Sequence, residues 1–172
     1  AIAIVYSNGA WGNENVLSTA TSHSQWGASV VFEQQSGDAL VVWNNGSADV
    51  PYAVWNGNSW LQASSLLPDS CTAGANWTFL FQRYNSDEAI LAYSDGAGRI
   101  CGQHWNGGSW DSQTNFENVT TTFSELGRFF SGAFEYSSGR AIVAWESSNG
   151  SSSSEGNVNY ANWTGSGWSS KA

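Results

Sequence analysis

A pattern of about fifty residues recurs three times along this chain, and it narrows the folds open to it more than any other feature. The first copy reads Ala39-Leu40-Val41-Val42-Trp43, a turn, then Tyr52-Ala53-Val54-Trp55-Asn56-Gly57-Asn58-Ser59-Trp60. The second reads Ala89-Ile90-Leu91-Ala92-Tyr93, a turn, then Cys101-Gly102-Gln103-His104-Trp105-Asn106-Gly107-Gly108-Ser109-Trp110. The third reads Ala141-Ile142-Val143-Ala144-Trp145, a longer turn, then Tyr160-Ala161-Asn162-Trp163-Thr164-Gly165-Ser166-Gly167-Trp168. The copies start at Ala39, Ala89 and Ala141, spaced by 50 and then 52 residues. An aromatic run precedes each: Val30-Val31-Phe32, Phe79-Leu80-Phe81, and Phe129 through Tyr136. Each unit therefore reads as an aromatic strand, an apolar strand, a Trp-ended strand and a short outer strand, the size of one propeller blade.

Ala39 to Trp43 is apolar at consecutive positions, as in a strand covered on both faces. The Trp-x-Gly-x-x-Trp segments suit tight hairpins, because glycine takes positive φ without strain. The expected fold is all-β, a β-propeller-like stack of about three and a half four-stranded blades of about 50 residues. One domain is expected over residues 1–172, with an incomplete unit at 1–26 and blade-like units at 27–75, 76–126 and 127–172. Ser64 to Gly74 and Asn115 to Gly127 read as loops between blades, and Ser147 to Gly156 as a solvated serine-rich loop. In the first unit, Ala1-Ile2-Ala3-Ile4-Val5-Tyr6 matches the apolar strand, with no obvious local partner beyond a degenerate one in Val16 to Trp26.

The totals exclude several classes of function. The formal charge is −9, with five Lys and Arg together, which argues against a phosphate backbone and an anionic membrane surface as partners. No apolar run approaches the roughly 20 residues of a membrane helix. The chain starts at Ala1, as a processed chain does, and carries sequons at Asn45, Asn76, Asn118, Asn149 and Asn162. These point to an extracellular or cell-surface protein whose signal peptide is removed. Cys71 and Cys101 are the only cysteines; they form a disulfide or stay as two buried thiols, and secretion favours the disulfide. Two cysteines with no clustered histidine do not make a zinc site.

These repeats resemble those of the fucose-binding β-propeller lectins of fungi and bacteria. The likeness rests on the apolar-aromatic strand, the Gly-containing turn and the strand ending in Trp-x-Gly-x-x-Trp, about 25 residues in each of three units. It implies a stack of blades with sugars bound between neighbours. The family's sugar-binding Arg falls on Ile4, Val41, Leu91 and Val143 here, and its Glu on Tyr52, Gly102 and Tyr160. The closing aromatics Trp60, Trp110 and Trp168 remain as sugar-stacking candidates.

No catalytic residues, metal or cofactor are expected. Glycosidases need two converging carboxylates, whereas Glu33, Asp38, Asp49, Asp95, Asp111, Glu135 and Glu146 are scattered. Glu33 and Glu135 hold similar places on aromatic strands and read as repeat features. His23 and His104 are isolated in sequence, and Ser94-Asp95-Gly96 reads as a solvated turn. The expected function is that of a non-catalytic structural protein, a self-assembling subunit of a filament, sheath or surface layer. Its partners would be copies of itself, and Ala1 to Tyr6 would be the inter-subunit connector by strand addition. The alternative is a glycan-binding propeller lectin.

Overall fold

The computed structural model describes residues 1–19, 27–45, 50–66, 71, 75–95, 97–118, 130–147 and 157–172. Among these residues every regular element is a β-strand, and the strands fall into four antiparallel sheets that follow one another in chain order. A hairpin of β1 (Ile2–Ser7) and β2 (Ala10–Val16) comes first. Blade 1 holds β3 (Ala28–Phe32), β4 (Ala39–Trp43), β5 (Val50–Trp55) and β6 (Trp60–Leu66) in sequential order. Blade 2 holds β7 (Ala75–Gln82), β8 (Ala89–Asp95), β9 (Arg99–Trp105) and β10 (Thr114–Asn118). Blade 3 holds β11 (Phe130–Phe134), β12 (Ala141–Ser147) and β13 (Asn157–Trp163). Of the first strands, β7 lies against both β3 and β11, as neighbouring inner strands of a propeller do.

The expected double-faced burial is present. All five residues of β4 and all seven of β8 are buried. One set of side chains from each blade faces the preceding unit and the other set faces the next. Leu40 and Val42 of blade 1 pack with Leu80, Leu91 and Tyr93 of blade 2. Ile90 and Ala92, on the other face of blade 2, pack with Val143 and Trp145 of blade 3. The core is thus a series of slabs between sheets.

Four expectations are corrected. Ala1 to Tyr6 has a local partner: β1 pairs with β2, from Ile2 opposite Val16 to Ser7 opposite Ala10. Asn8 and Gly9 turn the hairpin with φ of 51° and 82°, as a two-residue turn of the primed type needs. The hairpin docks on blade 1 through Ala3 and Leu17, against Val41, Trp43 and Ala53. Secondly, Asn115 to Asn118 is not loop but most of β10, paired with β9. Thirdly, the third aromatic strand, expected from Phe129 through Tyr136, ends at Phe134, and Phe129 lies outside the described residues. Fourthly, blade 3 has three strands among the described residues. Its outer edge is met by the C-terminal segment, where Tyr160 and Ala172 exchange backbone hydrogen bonds of 3.0 Å. Asn149, His23 and most of Ser147 to Gly156 lie outside the described residues.

Candidate functional site

The three Trp-ended turns share one construction. In the first two, the Asn side chain that follows the leading Trp accepts from backbone N–H groups ahead of it: Asn56 from Asn58 and Ser59, Asn106 from Gly108 and Ser109. In the third, Thr164 bonds Gly167 through both backbone and hydroxyl. Gly57, Gly107 and Gly165 take φ of 85°, 93° and 94°, a region in which a Cβ is strained. The turn brings the two indoles together at a tilt, with centroids 5.3 Å apart for Trp55–Trp60 and Trp105–Trp110 and 5.4 Å for Trp163–Trp168.

Trp60, Trp110 and Trp168 are therefore half-buried wedges between units. The Trp60 indole donates to the Asn13 carbonyl of the hairpin at 2.9 Å. Trp110 meets Tyr52 of blade 1 edge-on at 5.8 Å, and Trp168 meets Phe116 of blade 2 at 4.7 Å. Gly102 makes room for the latter pair: a Cβ there would lie 2.3 Å from the Phe116 ring and 3.4 Å from Trp168. The indole N–H groups of Trp110 and Trp168 are buried and find no acceptor among the described residues.

Two carboxylates clamp neighbouring blades. Glu33 accepts from the Trp105 indole at 2.6 Å and from the Ser36 hydroxyl at 2.9 Å. Burial raises its pKa against the lowering effect of those two bonds. Glu117 of β10 accepts from the Trp145 indole, from Asn159 at 2.9 Å and from Lys171 at 2.7 Å, all belonging to the third unit. Burial opposes its ionisation, but the bonds from Lys171, Trp145 and Asn159 outweigh that and hold its carboxyl below the usual range. The sign follows: stability from Glu117 is present above 4.5 and is lost as pH falls through the lowered folded pKa. Glu33, with a raised pKa, works in the opposite direction. Hydrogen exchange in β12 and β13, corrected for intrinsic rate, is expected to accelerate as pH drops below 4.5, and Glu117→Gln to remove that dependence. Equal pH dependence in the two proteins would refute the clamp.

Two other sequence readings change. His104 is isolated in sequence but not in space. Its ring stacks on Trp163 at 4.4 Å, Nδ1 lies 2.7 Å from Asp111, and Nε2 lies 3.5 Å from Glu88. Asp95 is not in a solvated turn: it is 2% exposed, because Arg99 pairs with it at 2.5 Å and the Ala97 and Arg99 N–H groups bond its Oδ1. Gly96 lies outside the described residues. Cys71 and Cys101 form the disulfide. The Asp95 carboxylate comes within 4.8 Å of both sulfurs, which are spent on each other. Among the sequons, Asn118 and Asn162 are exposed, whereas Asn45 and Asn76 are half-buried.

The turn after each inner strand is also repeated, with its charges rearranged. Glu33 N–H bonds the Asp38 carbonyl, Arg83 the Glu88 carbonyl and Glu135 the Arg140 carbonyl, at 2.7 to 2.8 Å. Arg83 and Glu88 form an ion pair at 2.8 Å, and Arg140 and Glu135 one at 3.1 Å with the charges exchanged. Beside the last pair, blade 3 carries an open cleft of about 580 Å³. Glu135, Arg140, Asn162, Thr164 and Ser169 give it polar groups and Ile142 an apolar wall, while Phe134, also at its border, turns its ring to Phe81 of blade 2. Hydrogen bonds from Ser138 and Arg140 hold the Glu135 carboxyl below its ordinary value, so it is ionised at neutral pH. None of the three candidate tryptophans lines this cleft. Aligning the turns Glu33–Asp38, Arg83–Glu88 and Glu135–Arg140 by repeat is the sequence signal that reaches it.

The sequence matches no protein-family model and no curated protein sequence. Among solved structures, the chain is similar to two of the NanB sialidase from Streptococcus pneumoniae. A point mutant gives a TM-score of 0.51 at 13% identity, covering 77% of this chain and 20% of that one. A complex with a substituted ethanesulfonate gives 0.53 at 13% identity, covering 89% and 24%. This chain thus spans about a quarter or less of the sialidase chains, and at that identity the likeness shows the fold alone: an all-β, propeller-like blade stack. A fucose lectin from Kordia zhangzhouensis in complex with methyl-fucoside gives a TM-score of 0.42 at 15% identity, covering 83% of this chain and 96% of that one.

Proposed function

We propose that the chain is a non-catalytic, extracellular glycan-binding module built on propeller blades. The observation that carries this is the blade 3 cleft. The carboxylate of Glu135 and the guanidinium of Arg140, paired with each other, stand beside the Asn162 amide and the Thr164 hydroxyl, with the apolar side chain of Ile142 next to them. A sugar offers vicinal hydroxyls that donate to a carboxylate and accept from a guanidinium, and apolar C–H groups that pack on an aliphatic side chain such as Ile142. The buried disulfide fits an oxidising compartment, and no helix among the described residues is long and apolar enough to cross a membrane.

The test is a glycan array followed by calorimetric titration of the best hit. Arg140 is 64% exposed at its side chain, so Arg140→Ala should leave the fold intact. Loss of a charge-assisted bond of about 1.5–3 kcal/mol weakens binding by roughly 10- to 100-fold. No binding to any glycan at millimolar sugar ends the reading.

A second reading is favoured by a separate observation. One face of the β1–β2 hairpin leaves Ile2, Ile4, Tyr6 and Val16 exposed, and monomers seldom leave such a stretch bare. It is the self-assembling subunit of an extracellular filament, sheath or surface layer, joined through the N-terminal segment.

A further inference from the structure

The units of this chain stack with a direction. Each blade has a face toward the preceding unit and a face toward the next, and the pairing registers make these faces comparable position by position. On the second strands, Leu40, Ile90 and Ile142 are equivalent and face forward. On the third strands, so are Val50, Ile100 and Val158, and likewise Tyr52, Gly102 and Tyr160. In blade 1 the forward positions are covered by blade 2: Leu40 is 0% and Val50 3% exposed. In blade 2 they are covered by blade 3, and Ile90 and Ile100 are both 0% exposed. In blade 3 the same positions are bare: Ile142 is 41%, Tyr160 38% and Val158 74% exposed.

The opposite end of the stack is bare on its backward face. In the hairpin, Ala3 and Leu17 point forward into blade 1. Ile2, Ile4, Tyr6, Trp11 and Val16 point away from it. Ile2 stands opposite Val16, and the rings of Tyr6 and Trp11 meet at 5.0 Å. The described residues therefore leave one forward and one backward apolar sheet face uncovered, the two halves of the interface formed internally between hairpin and blade 1, blades 1 and 2, and blades 2 and 3.

We propose that the backward face of the β1–β2 hairpin docks on the forward face of blade 3 of a second copy of this chain, head to tail. The occupant is a second copy because this contact continues the existing stack with the same polarity and the same strand positions. It rests on the assembly reading above, not on the glycan reading, whose cleft shares Ile142 and Asn162 with this face, and it changes the mechanism of assembly. β1 already has a strand partner in β2, so the contact is side-chain packing of sheet on sheet, not addition of β1 as a strand. The interface is heterologous, with a different patch from each copy. Asn162 lies exposed on the forward face, so the docked copies carry no glycan there.

The experiment is light scattering of the full chain after size exclusion, up to its solubility limit. The backward face is broken with Ile4→Glu and the forward face with Val158→Glu, both at exposed positions, with circular dichroism as the check on folding. Tyr160→Glu is a second forward-face variant. The wild type is expected at a multiple of the 18.4 kDa single-chain mass, and each variant at the single mass. Because the contact is head to tail, an equal mixture of Ile4→Glu and Val158→Glu retains one intact pair of faces, and the two-chain species returns. If the wild type associates and folded variants associate equally well, this interface is wrong while assembly stands. If one variant is single while the other stays associated, the contact is between like faces and the head-to-tail arrangement is overturned; it is overturned equally if each variant is single but the mixture does not recover. A wild type that stays at the single mass overturns both the interface and the assembly reading.

Discussion

Replacing Trp145 by alanine is expected to lower the unfolding free energy by about 3–5 kcal/mol, the range for removing a large buried aromatic side chain. Trp145 is 1% exposed, stacks on the Phe116 ring of blade 2 at 5.4 Å with 13° between planes, and donates its indole N–H to Glu117. The substitution opens a cavity in the slab between blades 2 and 3 and strips the clamp of one donor. Trp145→Phe separates the two effects: it keeps part of the ring and loses the N–H, and it should cost less than half as much. Urea unfolding of the three proteins reads both numbers. A loss under about 1 kcal/mol for the alanine variant, the level of an ordinary surface change, would show that this slab does not hold the blades together.

The second large effect belongs to the disulfide. Cys71 and Cys101 are 30 residues apart, which on the chain-entropy model gives about 3–4 kcal/mol to the folded state. Cys71 sits buried in the slab between blades 1 and 2, and its N–H bonds the Gln113 side chain at 2.9 Å. Gln113 in turn reaches the buried Tyr93 hydroxyl, whose pKa is raised, by burial first and then by the charge of Asp95. The bond therefore ties the segment ahead of blade 2 to that blade's third strand, β9. Adding reductant to the wild type, or making the Cys71→Ala and Cys101→Ala pair, should shift the urea midpoint to a markedly lower concentration. An unchanged midpoint after verified reduction would mean that the packing alone sets the geometry.

The blades were legible from residue order because the physics behind them is local. Five consecutive apolar residues at Ala39 to Trp43 need cover on both faces, and β4 has it. The hairpin was missed although its signal is local: Asn8-Gly9 is a strong two-residue turn signal, and it joins Ala1 to Tyr6 to a partner in Ala10 to Val16 that the apolar pattern does not mark. What order along the chain does not carry is which unit covers which face. Alternation places Ile90 and Ile142 on the same side of their strands, but only assembly of the stack makes one 0% and the other 41% exposed. For the same reason the ion pair of Asp95 with Arg99 buries a turn that reads as solvated, and His104 acquires Asp111 and Trp163 as neighbours. The cleft at Glu135 and Arg140 belongs to the same class, since Ile142 and Asn162 at its border lie on the face of blade 3 that no described unit covers.

The turns after the inner strands also bear on how the chain finds its fold. Tandem units with near-identical strands are prone to pair with the wrong neighbour while folding. Here the backbone bond that closes each turn is the same in all three, so the side chains are free to differ. Gln35 and Ser36 of blade 1 donate their N–H groups to Asp87 of blade 2, and Asn85 N–H reaches back to Gln34. Tyr84 of blade 2 stacks on Tyr136 of blade 3 at 4.6 Å. One junction is keyed by a carboxylate, the next by a pair of rings. A blade presented to the wrong neighbour would meet the wrong key, so these turns act as addresses that fix the order of otherwise interchangeable parts.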